Sequence, residues 1–139
     1  MIHFSKTEDY SVLLLNYLTA EYKKRLVPLS EIATEYHIPI LFLRNIAAKL
    51  RQAGFIDAVE GKNGGYRLSK NPKSITLGEV LRIFSDKPLL AECADGNHPC
   101  TCGMGATLCN TGSQWRRMNQ EFLEKVSDIS LGDFINKSK

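Results

Sequence analysis

The chain has 139 residues, of which 43% are hydrophobic, and a formal net charge of +3. This length suits one domain with one hydrophobic core, and no apolar run approaches the roughly 20 residues that a membrane span requires. A secretory signal has a positive charge first, then a long apolar core and a small-residue cleavage site, and the N-terminus lacks this order, which predicts a cytoplasmic protein. Residues 1–90 carry 13 Lys and Arg against 9 Asp and Glu, an excess that is also typical of an ordinary solvated surface.

The first part of the chain has the apolar periodicity of three helices. Ser5-Lys6-Thr7-Glu8 matches a capping box and predicts where the first helix begins. A second helix is predicted over residues 30–36 and a third from residue 40 to about 53, with a short turn ending in Pro39 between them. Gly54 is a suitable terminator for the third helix. Two helices joined by a tight turn form a helix-turn-helix.

A hairpin and a further helix follow. Residues 55–59 and 66–68 are predicted strands, and the Asn63-Gly64 pair between them is a strong hairpin signal. A hairpin directly after a helix-turn-helix predicts a wing. Thr76-Leu77-Gly78-Glu79 repeats the capping-box pattern and opens a helix to about residue 85.

The C-terminal third contains an irregular segment and a long helix. Residues 88–112 have no helical period, whereas a stripe of apolar residues at three- and four-residue steps predicts a long amphipathic helix: Trp115, Met118, Phe122, Val126 and Ile129. A short final helix follows from about residue 130. The stripe is too apolar for a free surface helix, so we expect it to cross a second copy of the chain, although Trp115 alone would also suit packing on the first helix.

The predicted fold is therefore mainly α with a small β-hairpin wing: a winged helix-turn-helix plus a long C-terminal dimerisation helix. We divide it into the winged helix-turn-helix region (1–90), a cysteine loop (91–112) and the dimerisation and C-terminal helices (113–139), all within one compact domain.

Polar residues outside the apolar stripe of the third helix, and at the wing tip, suit DNA. Arg and Asn make bidentate contacts with guanine and adenine edges, and Lys favours phosphates. For any one of these residues an ordinary solvated side chain is the better interpretation, but together with the helix-turn-helix and hairpin they favour binding to double-stranded DNA. The candidates are Arg44, Asn45, Lys49, Arg51, Lys62 and Asn63.

All four cysteines lie within 17 residues: Cys93, Cys100, Cys102 and Cys109. A reducing cytoplasm disfavours structural disulfides, and thiolates suit iron–sulfur clusters or zinc. Structural zinc sites usually pair ligands with two to four residues between them, and this loop has no such pair, since only one residue separates Cys100 and Cys102. A thiol–disulfide switch between Cys100 and Cys102 is an alternative. A thiol redox enzyme is disfavoured, because the chain lacks a Cys-x-x-Cys motif and an obvious catalytic base.

Several segments resemble one family. LRQAGFI (residues 50–56), GKNGGYRL (61–68), ITLGEV (75–80) and ISLGDF (129–134), together with Trp115 after the cysteine loop, resemble the Rrf-type winged-helix regulators, which include IscR-like, NsrR-like and SUF-operon-regulator-like branches. The resemblance implies a homodimeric transcriptional regulator, most simply a repressor. Its binding to an operator would be controlled by an iron–sulfur cluster, of two-iron or four-iron type, that senses iron–sulfur status, oxygen or nitric oxide.

The resemblance also suggests cluster ligands. Cys93 and Cys109 match the first and last family positions, whereas either Cys100 or Cys102 fits the middle one, and we favour Cys102. Asp9 matches an aspartate that ligates the partner subunit's cluster in NsrR-like members. The alternative for Asp9 is stabilisation of the helix dipole, worth ~0.3–1 kcal/mol. His98, inside the loop, is a further possible ligand.

Overall fold

The computed structural model describes residues 5–84 and 111–136. The helices of this part are α1 (Lys6–Ala20), α2 (Leu29–Tyr36), α3 (Ile40–Gln52), α4 (Leu77–Phe84), α5 (Gly112–Ser127) and α6 (Leu131–Asn136), with a short 3-10 turn at Pro72–Ser74. The strands β1 (Ile56–Val59) and β2 (Gly65–Leu68) form an antiparallel pair. This confirms the predicted fold class. Within the described ranges, no helix is long and apolar enough to cross a membrane.

One apolar core joins these elements. The side chains of α1 and α3 that lie in it recur at three- and four-residue steps, as expected for the inward face of a helix. They are fully or almost fully buried: Leu14, Leu15 and Leu18 from α1, and Leu43, Ile46, Ala47 and Leu50 from α3. The same cluster contains Ile56 of β1, Val80 of α4 and Leu131 of α6. The helix-turn-helix, the wing and the C-terminal helix are therefore packed on shared side chains.

The turn between α2 and α3 and the end of α3 follow the predicted signals. His37 ends α2 in the left-handed conformation (φ 54°), and the Ile38 N–H donates to the Ala33 carbonyl at 3.0 Å. At the end of α3, Gly54 has φ 83°, and the Phe55 N–H donates to the Leu50 carbonyl at 3.0 Å. This is the 6→1 bond of a glycine-terminated helix. Gly54 therefore fixes the direction in which the chain leaves α3 for the wing.

The wing has a third member that the sequence analysis missed. Residues Ile56 and Leu68 face each other at the base of the hairpin, and Val59 faces Gly65 near its tip. Val27, in the connection between α1 and α2, exchanges two backbone hydrogen bonds of 2.8 and 2.9 Å with Tyr66. A Cβ atom on Gly65 would lie only 2.8–2.9 Å from the Val27 backbone, so glycine is required for this close approach. The wing is thereby held against the body of the domain.

Only one of the predicted capping boxes forms completely. The Thr76 N–H donates to Glu79 Oε2 at 2.9 Å, and the Glu79 N–H donates to Thr76 Oγ1 at 3.2 Å, which is the reciprocal pattern at the start of α4. For Ser5, the predicted start of the helix is correct, but the predicted capping hydrogen bonds do not form. Ser5 is the N-cap of α1, but its hydroxyl contacts the Glu8 carboxylate and makes no side-chain bond to the backbone. The two side chains satisfy each other instead of the helix terminus.

Helices α4 and α5 run antiparallel. The Leu77 N–H at the start of α4 donates to the Ile129 carbonyl just after α5, at 2.8 Å. Further along the pair, Arg82 of α4 and Gln120 of α5 line the same groove. Helix α5 begins at Gly112, which corrects the predicted end of the irregular segment: the Trp115 N–H donates to the Thr111 carbonyl at 3.0 Å, a bond of the first helical turn. The chain between Phe84 and Thr111, which carries the cysteines, therefore leaves and re-enters the domain at the same end of this helix pair.

An ion pair joins the connection between α1 and α2 to the first turn of α2 and gives the fold a measurable acid response. Arg25 bonds Glu31, and the Tyr17 hydroxyl donates to Glu31 Oε1 at 2.6 Å. The guanidinium first, and the tyrosine second, lower the pKa of Glu31 from 4.5 to about 2. A lowered pKa means that this carboxylate stabilises the fold above pH 4.5, and that its contribution is lost as the pH falls towards 2.

We therefore expect Glu31→Gln to be less stable than wild type at neutral pH, with a difference that shrinks between pH 4.5 and 2. The effect should be modest because both charged side chains are partly exposed to solvent, which screens the ion pair. Urea unfolding followed by circular dichroism across this pH range measures it, with Glu35→Gln in the same helix as the control. A difference between wild type and Glu31→Gln that stays constant over this range would contradict the role of the ion pair.

Candidate functional site

The outward face of α3 carries most of the predicted DNA-binding residues. The buried residues of α3 define its inward face, and the helical period then places Asn45 near the centre of the opposite face. Arg44 and Arg51 lie along one edge of that face, and Lys49 lies along the other. All four side chains are exposed. This places an amide and two guanidinium groups on the surface of the second helix of the helix-turn-helix, the element that enters the major groove in such proteins.

Lys49 has a contact that the sequence analysis missed. Its ammonium group lies 5.8 Å from the centre of the Phe84 ring, at the end of α4. The ring face attracts the cation, so the side chain is drawn towards α4 and away from the centre of the outward face of α3. Lys49 therefore connects α3 to the helix that leads into the cysteine-bearing segment.

The wing tip consists of Lys62 and Asn63. A turn closed by the Gly64 N–H and the Gly61 carbonyl, at 3.1 Å, places both residues at its centre, and both are exposed. A Cβ atom on Gly64 would lie 2.0 Å from the Val59 carbonyl oxygen, so only glycine fits next to the tip. The hairpin thus presents a thin, positively charged tip to the solvent, and the Val27 bridge holds β2 at Tyr66, next to the tip-side end of that strand.

Leu41 is a surface residue that the search for polar side chains overlooked. It is the second residue of α3 and is 68% exposed. The helical period places it near the centre of the outward face, one turn before Asn45. The signal that could have found it is the position of Leu41 opposite the apolar stripe of the same helix.

A second region of interest lies at the start of α1. A groove of about 450 Å³ separates this terminus from α4 and α6, and Asp9 is an exposed residue on its wall. Among the residues that the structure describes, no ion pair engages the Asp9 carboxylate. The remaining walls are Ser5, Lys6, Glu8, Val12, Leu77, Leu81 and Phe134. The carboxylate is thus open to a ligand that approaches from the solvent side.

Two aromatic contacts connect these regions to α3. Tyr10, which follows Asp9, meets Phe42 of α3 edge to face, with ring centres 5.5 Å apart and an angle of 89°. Phe84, at the end of α4, contacts Lys49 of α3 as described above. Edge-to-face pairs add about 0.5–1.5 kcal/mol beyond their buried area. The start of α1 and the end of α4 are therefore each next to a ring that contacts a side chain of α3.

The predicted cysteine ligands lie outside the described residues, as does His98: Cys93, Cys100, Cys102 and Cys109. Within residues 5–84 and 111–136, no group of three His, Cys, Asp or Glu side chains is arranged to hold a metal ion. The described residues show where the cysteine-bearing segment is connected to the domain, which is at the end of α4 and the start of α5.

The apolar stripe of α5 divides between two environments. Val126 is only 6% exposed and packs within its own chain, whereas Trp115 is 39% exposed and Met118 is 49% exposed. Phe122 is partly buried, and so is Ile129, which lies beyond the end of α5 at Ser127 and not within the helix as predicted. The first half of α5 therefore presents two large apolar side chains to the solvent, and its second half is fixed to the domain.

Comparison with known proteins identifies the family of this chain and several proteins that are similar to it. Residues 4–137 match the Rrf2 family, described as an iron-dependent transcriptional regulator. The transcriptional regulator NsrR of Bacillus licheniformis is 31% identical over 129 residues, which cover 91% of this chain and 87% of that protein. IscR of T. potens superposes with a TM-score of 0.77 at 22% identity, over 99% of this chain and 89% of that one. CymR of B. subtilis, a global cysteine regulator, has a TM-score of 0.83 at 20% identity, over the full length of both chains. At these identities the two structures demonstrate a shared fold.

Proposed function

The chain belongs to the Rrf2 family of transcriptional regulators, which are not enzymes, and from this we propose that it is a homodimeric, cytoplasmic repressor whose affinity for its DNA operator is set by an iron–sulfur cluster. The observation that supports an iron–sulfur cluster is the set of four cysteines within 17 residues, in a chain whose family is described as iron-dependent. The fold supplies a recognition helix and a wing, on which the DNA-binding half of the proposal rests.

Helix α3 would contact the base edges of the operator, and the wing would contact its phosphate backbone. Arg44 and Asn45 are the side chains suited to base edges, because both project from the outward face of α3. Lys62 and Asn63 at the wing tip, and Arg51 and Lys49 at the edges of α3, are suited to phosphates. Because two copies related by a two-fold axis would present two such surfaces, the operator should be roughly palindromic.

The cluster would be held by Cys93, Cys109 and one of Cys100 and Cys102, with Asp9 of the other subunit as the fourth ligand. When bound, it supplies iron that reacts with oxygen or nitric oxide. Asp9 fits this role because its carboxylate is exposed on an open groove. A carboxylate is a poor match for soft metal chemistry, so a cluster with this ligand should be labile, as a sensor requires.

A route from the cluster to the operator is available through the two contacts on α3. A ligand changes DNA affinity only to the extent that it binds one conformation better than the other. Binding of a cluster by the cysteine-bearing segment would act on Phe84 and hence on Lys49, and engaging Asp9 would act on Tyr10 and hence on Phe42. Both paths end on the helix that reads the DNA.

Two other readings of the cysteine loop use the same fold. A structural zinc would make the loop a static element, and a pairing of Cys100 with Cys102 would make it a thiol–disulfide switch. The similarity to CymR, a global cysteine regulator, indicates that this fold serves more than one signal.

Anaerobic purification followed by absorption spectroscopy and counts of iron and sulfide separates these readings. We expect a coloured protein that contains iron and acid-labile sulfide, since iron–sulfur clusters absorb visible light and zinc does not. A colourless protein with one zinc per chain would contradict the cluster, and so would a metal-free protein that contains a disulfide.

The exposed half of α5 predicts a dimer that one substitution should weaken. Met118→Glu would place a charge where a second copy is expected to cover Met118 and Trp115. Burying that charge should weaken the dimer by about 2 kcal/mol or more, roughly 30-fold in Kd. Analytical ultracentrifugation measures this, with Gln120→Glu, on another face of α5, as the control. A wild-type chain that sediments as a monomer at micromolar concentration would be incompatible with this interface.

A further inference from the structure

Leu41 is the most exposed of the large hydrophobic side chains in the described part of the chain. At 68%, its exposure exceeds that of Met118 at 49%, Val59 at 41%, and Trp115 and Phe134 at 39% each. An isolated exposed leucine is common on protein surfaces and needs no explanation by itself. The position of Leu41 is what distinguishes it, because it occupies the first turn of the helix that faces the DNA.

The orientation of Leu41 is fixed by its neighbours on both sides. Leu43, two residues later, is fully buried in the core, and Phe42 meets the Tyr10 ring of α1 edge to face. With these two side chains held, the first turn of α3 cannot rotate to bring Leu41 inward. Leu41 therefore projects outward together with Asn45, four residues later, and Ala48, seven residues later.

We infer that Leu41 determines operator specificity by packing against the C5-methyl group of a thymine in the major groove. This inference rests on the proposed function, since it requires that α3 reads DNA. N-terminal residues of a recognition helix contact base edges, and the thymine methyl is the one apolar group that a base pair displays in the major groove. The short Ala48 side chain on the same face lets the helix backbone approach the groove closely. Leu41 would then select thymine beside the base that Asn45 contacts.

Removing single methyl groups from the DNA tests this contact. The full chain, purified anaerobically, first selects its preferred duplex from a randomised library. Each thymine of that duplex is then replaced, one at a time, by deoxyuridine, which lacks only the C5-methyl group. In wild type, at least one replacement in each half-site should weaken binding about fourfold, the effect of one buried methyl group.

The comparison of variants assigns that loss to Leu41. In Leu41→Ala the same deoxyuridine replacement should have no effect, whereas Leu41→Met should retain the sensitivity of wild type. Glu35→Ala, which truncates an exposed side chain of α2, should retain the full wild-type pattern. Because Leu41 is exposed, the alanine variant should fold, which circular dichroism would verify.

The outcomes separate the two proposals. If wild type tolerates every deoxyuridine, or if Leu41→Ala loses as much affinity as wild type at each position, the role of Leu41 is refuted while sequence-specific binding stands. If no duplex is enriched over random DNA, the proposed function itself fails.

Discussion

Cys93→Ala and Cys109→Ala should each reduce the iron content of anaerobically reconstituted protein to below roughly a tenth of the wild-type value, because each removes a primary thiolate ligand. Both residues lie in the segment that α4 and α5 anchor at one end of the helix pair. Iron and sulfide counts, together with visible absorbance, measure the effect.

Cys100→Ala and Cys102→Ala serve as internal comparisons for this series. Only one residue separates the two cysteines, so binding one iron with both would be strained, and we expect Cys102→Ala to lose more cluster than Cys100→Ala. Full cluster retention in the Cys93 or Cys109 variant would refute the proposed ligand set.

Asp9→Ala belongs to the same experiment but has a different expected outcome. A weak carboxylate ligand can be replaced by water, so the cluster should assemble and then decay faster on exposure to oxygen or nitric oxide. Glu8→Ala is the matched control, because Glu8 is the other acidic residue in the first turn of α1 and lines the same groove. Equal cluster lifetimes in both variants would leave Asp9 only the helix-dipole role.

Arg44→Ala and Asn45→Ala should each weaken binding to the selected operator by ~1–3 kcal/mol and relax sequence preference at particular positions. Their side chains project from the outward face of α3, and no core contact is lost when they are truncated. Competition binding with single-base variants of the operator measures both effects. Arg82→Ala, which removes a positive charge from an exposed position of α4, should leave the preference unchanged.

Lys62→Ala provides a contrast with these two variants. As a phosphate contact, Lys62 should contribute equally on every sequence, so its loss should lower affinity uniformly and reduce the slope of log K against log salt by about one. If substitutions on α3 and at the wing tip all left operator affinity unchanged, the DNA-binding surface would have to lie elsewhere on the chain.

Local signals in the sequence were sufficient for most of the described fold. The apolar period of α1 and α3, the glycine after α3 and the Thr76-to-Glu79 capping box each act within a few residues, and each appears where it was predicted. Because α3 and the wing lie where the sequence predicted them, their exposed polar residues could be named from sequence as candidates for DNA binding.

The contacts that could not be predicted join residues distant in the chain. The bridge between Val27 and Tyr66, the Tyr10–Phe42 ring pair and the Lys49–Phe84 contact depend on how the helices pack, and no local pattern encodes that. The capping box predicted at Ser5 is absent for a different reason. Its hydroxyl and the Glu8 carboxylate, correctly spaced for a capping box, bond to each other.

The most direct test of cluster control compares operator affinity in one preparation before and after the cluster is removed. Kd for the selected operator is measured without oxygen on the cluster-loaded protein, and again after a chelator has stripped the iron. We expect the two values to differ by roughly 5- to 150-fold, the usual range of allosteric coupling, with the tighter binding lost when the cluster is removed. Equal Kd values for the loaded and stripped forms, both folded and dimeric, would contradict control of this regulator by an iron–sulfur cluster.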